Sequence, residues 1–148
     1  MRLLRVLLMA TIALCTCISC GKEAPFEDVT QKDTAVTYST IEGCWQLTHL
    51  DGTELLAETM LYAKFSRHDR SFELWDNIGS MYMRKSTGYF TITQDESGAY
   101  WLSGRYDNGV GDWMEKYRIE MLDAERMQLR ATSCMEFKRI ERLPEFNQ

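Results

Sequence analysis

The chain has 148 residues, 45% of them hydrophobic, 26% charged and two of them proline, which fits one globular domain and leaves no room for a second. Its net charge is −5, and without residues 1–19, which hold Arg2 and Arg5 but no acid, 15 basic side chains face 22 acidic ones. That balance argues against a phosphate-binding surface and so against a nucleic-acid partner. No apolar run of ~20 residues follows position 20, so nothing there reads as a helical membrane span.

Residues 1–19 open with Arg2 and Arg5 and continue with the apolar stretch Val6 to Leu14, which has the length of a secretory h-region and is too short to cross a bilayer. Ser19 precedes Cys20, and Cys17 stands three positions before that junction. The arrangement resembles the lipobox of bacterial lipoproteins, where the cysteine after the cut is acylated and becomes the mature N-terminus. The resemblance implies a lipid on Cys20, a membrane held through its acyl chains, and a place in the bacterial cell envelope, the outer membrane being favoured. Residues 20–40 are charged, contain Pro25 and show no sustained apolar period. They read as a solvated tether, with the folded domain occupying residues 41–148.

From Ile41 onward, short alternating runs are separated by turn residues, the pattern of strands. Gly43 to Leu50 places Trp45, Leu47 and His49 on one face and Cys44, Gln46 and Thr48 on the other, and Asp51-Gly52 ends the run with a turn signal. Thr53 to Met60 reads either as a short amphipathic turn covering a barrel mouth or as a loop. Leu61 to Ser66 and Ser71 to Asp76 follow, with Phe65, Phe72 and Leu74 inward and Arg67 to Arg70 as the turn between them. Thr87 to Thr93 aligns Phe90 with Ile92, Ala99 to Tyr106 aligns Tyr100, Leu102 and Tyr106, and Trp113 to Leu122 aligns Tyr117, Ile119 and Met121. Met127 to Ile140 is long enough to bend or divide at Thr132-Ser133. Seven or eight strands at this spacing predict an all-β domain, and a consecutive meander with one apolar face closes most simply into a small up-and-down antiparallel barrel. Tyr62, Trp75 and Trp101 fall on outward faces and suggest a partner patch.

Gly43-Cys44-Trp45-Gln46-Leu47 resembles the lipocalin signature, a glycine-any-tryptophan on the first strand. Together with the signal, the tether and the closing Phe137-Lys138-Arg139-Ile140, the chain looks like the small lipocalin-like lipoproteins of Bacteroidetes. The resemblance implies that Trp45 plugs the closed end of the barrel beneath a basic side chain from the last strand. Arg139 is the first candidate because it shares parity with Phe137, and Lys138 and Arg142 remain alternatives. Only Glu141 to Gln148 follow that strand, too few for the C-terminal helix of true lipocalins.

The residues offer little to catalysis. His49 and His68 lack paired-ligand spacing, no glycine-serine elbow or cysteine signature is present, and no carboxylate pair stands out, so the chain reads as neither an enzyme nor a metal or cofactor protein. Asp76 has inward parity and reads as a single polar group in the lumen. The leading expectation is a binder of a small apolar or amphipathic ligand, in the lumen or at its mouth, lined by Leu47, His49, Phe65, Phe72, Phe90, Leu102, Tyr117 and Ile119. The alternative is a protein-interaction module, such as a periplasmic inhibitor or assembly partner, acting through loops or exposed aromatics. Cys44 and Cys134 are the cysteines left after Cys20, and the oxidising compartment favours a disulfide between them across the seam of first and last strands.

Overall fold

The computed structural model describes residues 35–146. The signal peptide, Cys20 and residues 21–34 of the expected tether lie outside the described residues.

The elements follow in order as a helical turn α1 (Tyr38–Ile41) and strands β1 (Gly43–Leu50), β2 (Thr53–Glu54), β3 (Leu61–Phe65), β4 (Ser71–Asp76), β5 (Arg84–Gln94), β6 (Tyr100–Tyr106), β7 (Gly111–Asp112), β8 (Tyr117–Leu122), β9 (Arg126–Arg130) and β10 (Cys134–Ile140). β1, β3, β4, β5, β6, β8, β9 and β10 pair in that circular order, and β10 returns to β1, so eight antiparallel strands close a barrel. The two short strands are outriders, β2 on β1 and β7 on β6. Closure leaves the eight main strands without a free edge, which is the expected resolution of a one-sided apolar meander.

Alternation fills the interior. Trp45, Leu47, Phe65, Phe72, Phe90, Leu102, Ile119, Met127, Leu129 and Phe137 form one buried cluster, the least covered of them 7% exposed. Phe65 meets Phe90 edge-on at 4.9 Å between centroids, and Phe72 meets Tyr106 at 5.8 Å. Such pairs add to the burial of large rings.

Two bulges break the simple period. In the β1–β10 ladder Leu47 faces Phe137 but His49 faces Glu136, so Thr48 is the extra residue and parity reverses after it. The expectation that His49 lines the mouth is therefore corrected: it stands outward, 40% exposed, 4.0 Å from Glu136. The second bulge lies between Ile119 and Met121 of β8, and Leu122 takes the inward place expected for Met121.

The tether boundary also moves. Val36 and Tyr38 pack against the core, and Ile41 is wholly buried, so the fold begins before residue 41. Thr37 caps α1 by accepting from the Thr40 N–H, and the Tyr38 phenol accepts from the Ile92 N–H at 3.1 Å.

The disulfide expectation is corrected by the register. Antiparallel closure pairs the start of β1 with the end of β10, so Cys44 faces Ile140, while Cys134, at the start of β10, lies near Asp51 at the far end. Both thiols are free.

Tyr62 and Trp75 do point outward, yet they are covered. The C-terminal segment folds back so that the Phe146 ring stacks on Trp75 at 4.6 Å and tilts against Tyr62 at 5.5 Å. The third expected patch residue, Trp101, donates its indole N–H to Asp95 at 2.7 Å.

Candidate functional site: the barrel mouth

The barrel has two ends of different construction. At the end where β1 begins, Trp45 is wholly buried and donates its indole N–H to the Ile41 carbonyl at 2.8 Å. Arg139 faces Trp45 directly across the seam, its guanidinium carbon 4.1 Å from the ring centroid. The guanidinium donates to the carbonyls of Thr40 (2.8 Å), Ala124 (2.6 Å) and Glu42. Of the three basic residues considered, Arg139 is the one on the tryptophan ring. Gly43, at φ +124, leaves its path open: a Cβ there would come within 2.5 Å of Arg139 Nη1. This end is sealed.

The interior offers no room either. Leu47, Phe65, Phe72, Phe90, Leu102 and Ile119 are 0–7% exposed. A ligand-sized void would leave such side chains accessible, so their expected role as a lining is corrected to mutual packing. The reason is size, because bulky inward residues from eight short strands fill a barrel of this girth.

The mouth is the remaining site. Trp113, from the loop between β6 and β8, lies across it with its ring against the backbone of Gly104 and its centroid 5.0 Å from Phe72 and 5.9 Å from Tyr117. A Cβ at position 104 would fall 2.3 Å from that indole, so only glycine admits it. Its indole nitrogen is buried and, among the described residues, has no hydrogen-bond partner. Tyr117, placed by the sequence reading in the lining, is thus half-buried beside the stopper. Trp113 was not foreseen as a mouth residue, and the signal for it was Gly104, a gap in the inward series Tyr100, Leu102, Tyr106.

Beside Trp113's loop opens a pocket of about 310 Å³, lined by Asp76, Arg84, Ser86, Thr87, Tyr106, Asn108 and Val110. Inward parity at the ends of β4, β5 and β6 brings Asp76, Ser86 and Tyr106 there. Arg84 Nη2 donates to Asp76 Oδ1 at 2.5 Å and to the Ile78 carbonyl at 2.9 Å. Among the described residues the other guanidinium nitrogens have no partner. Burial, and then the negative Asp76, push the Tyr106 phenol above its ordinary pKa, while burial followed by Glu115 does the same for Tyr117. Both phenols stay protonated and available as donors at neutral pH. The pocket therefore combines a cation held by its own counter-ion, neutral hydroxyls and an amide, and an apolar edge at Val110.

Among the described residues no helix is long and apolar enough to cross a membrane, and no group of three or more His, Cys, Asp or Glu side chains is placed to hold a metal. Comparison of the sequence with protein-family models and with curated proteins finds no match. The fold is similar to the crystal structure of a lipocalin-like protein from Bacteroides uniformis ATCC 8492, with a TM-score of 0.51 and 14% identity over 68% of this chain and 99% of that one. At that identity the likeness is one of architecture: this chain folds as a lipocalin-like β-barrel.

Proposed function

We propose that this protein is a lipid-anchored component of the bacterial cell envelope that holds a small amphipathic ligand at the mouth of its barrel. The observation that carries the reading is the mouth pocket, since the interior is already filled by its own side chains. Arg84, Ser86, Asn108 and the Tyr106 phenol offer donors to an oxygen-bearing head group, and Val110 meets an apolar portion. The arrangement suits binding more than chemistry, because Asp76 is committed to Arg84 and the Thr87 hydroxyl to Asp107. The anchor rests on Ser19-Cys20 after the apolar stretch Val6 to Leu14.

The test has two arms. In calorimetric titrations with octanoate and with octyl glucoside, saturable binding to at least one is expected, weakened about tenfold or more by Arg84→Ala or Tyr106→Ala. Affinity unchanged in both variants removes the pocket from the reading. In cell fractionation, wild type is expected to leave membranes only with detergent and Cys20→Ala to be released without it. A Cys20→Ala protein still held like wild type refutes the anchor.

A further inference from the structure

Nine large apolar side chains are exposed among the described residues, and all but Tyr89 lie at the open end. The most open are Leu56 (78%) in the loop 51–60, Met81 (92%) and Tyr82 (78%) in the loop 77–83, and Val110 (74%) and Met114 (101%) in the loop 107–116. Scattered single apolar residues on a surface mean little, but a concentration at one pole marks a contact site.

The charges around them form a pattern. In circular order the loop 77–83 lies between the other two. It carries no charge of its own, while exposed carboxylates stand on both flanks: Glu54 and Glu58 on one side, Asp107, Asp112 and Glu115 on the other. Among the described residues none of these five has an ion-pair partner except Asp112, 4.0 Å from Arg105. Lys116 is the single base on these loops, and the cations at the foot of the central loop are already engaged, Arg84 by Asp76 and Lys85 by Glu73. The loops are also tied together. Asn77 donates to the Glu58 carbonyl at 2.6 Å and accepts from the Met60 N–H at 2.7 Å, and Thr87 donates to Asp107 at 2.8 Å. A surface held in place before contact loses less entropy on binding.

We propose that the open end is a docking surface for a protein segment with an apolar centre flanked on both sides by lysine or arginine. Charge complementarity selects this occupant. Two copies of the same crown would bring like charges together, and an anionic membrane would be repelled by the flanks. The first and third loops stand four of the eight strand intervals apart and so face each other across the mouth. An arc of about 20 Å has a chord of about 13 Å, which a helix of roughly nine residues crosses. The inference does not depend on the pocket ligand.

The experiment titrates the full-length protein with a synthetic helical peptide of about 18 residues, apolar in the middle and lysine-rich at both ends, and with the same peptide carrying glutamates at its ends. Saturable binding of the lysine peptide is expected, at least about tenfold tighter than the glutamate peptide and weakened by added salt. Met81→Ser with Tyr82→Ser should reduce it about tenfold, and Glu54→Lys with Glu58→Lys should weaken it and flatten its salt dependence. All of these positions are exposed, and an unaltered melt will show that the variants fold. Equal affinity for the two peptides, or no saturable binding, overturns the proposal. So does adsorption to neutral phosphatidylcholine vesicles, or dimerisation, that the Met81/Tyr82 variant abolishes while peptide binding is absent.

Discussion

At the closed end of the barrel the hairpins turn on aspartates and one guanidinium saturates three carbonyls above Trp45; at the open end the loops point leucine, methionine and tyrosine at water. Asp69 accepts from Ser71, Asp95 from Ser97, Ala99 and Trp101, and Asp123 from the N–H groups of Glu125 and Arg126. Every closed-end hairpin is thus held by a short side chain that satisfies its own turn. The open-end loops also carry bonds, but Leu56, Met81, Tyr82, Val110 and Met114 are 74–101% exposed there and gain little from the fold. The difference teaches a division of labour in which the sealed end supplies stability and the other end is available for recognition.

The largest test of that division is Trp45→Ala. Removing a wholly buried indole costs about 3–5 kcal/mol and lowers the melting temperature by roughly 10 °C or more. A melt left unchanged would show that the sealed end is not where stability resides. Next comes Arg139→Met, which preserves much of the side-chain length but abandons the carbonyls of Thr40, Glu42 and Ala124 and the cation over the ring. A loss of about 2–4 kcal/mol is expected in denaturant melts. Arg139→Lys should recover only part of it, because one ammonium cannot reproduce the planar fork.

The smallest effect sharpens the comparison through pH. Hydrogen bonds from Ser97 and then Trp101 hold the Asp95 carboxyl down from 3.8 to about 2. A carboxyl whose pKa falls on folding stabilises the fold fully above its unfolded pKa, and the contribution disappears as pH falls through the folded value. Asp95→Ala should therefore melt a few degrees below wild type at neutral pH, with the gap closing between pH about 4 and 2. A gap that persists at the acid limit would mean that the turn is held by shape and not by the ionised carboxyl.

Much of this architecture was legible because period-2 alternation is local. The strand runs, the turn at Asp51-Gly52 and the division of the last stretch at Thr132-Ser133 all follow from neighbours in the chain. Arg139 could be nominated from its parity with Phe137, and no bulge intervenes between them. What escaped depended on partners far away. The extra residue at Thr48, which turns His49 outward, is defined only by the opposing strand β10, and α1 is too short to show a helical period. Cys44 and Cys134 share outward parity, but parity carries no information about height along a barrel wall. Trp113 sits in a glycine-rich loop, and its place in the mouth is set by the absent side chain of Gly104 on another strand.

The closure of β1 on β10 bears on how the chain reaches this state. Every other neighbouring pair in the barrel is joined by a single loop, so those pairings form between segments close in sequence. The seam alone joins Cys44 to Ile140 and Trp45 to Arg139. Loop-closure entropy falls most heavily on that one long-range step, and long-range contacts are what slow the folding of β proteins. The tryptophan and the arginine that seal the barrel are thus directly opposed residues of its least local pairing, and the kinetic cost of making a ring from a ribbon falls where their contact can offset it.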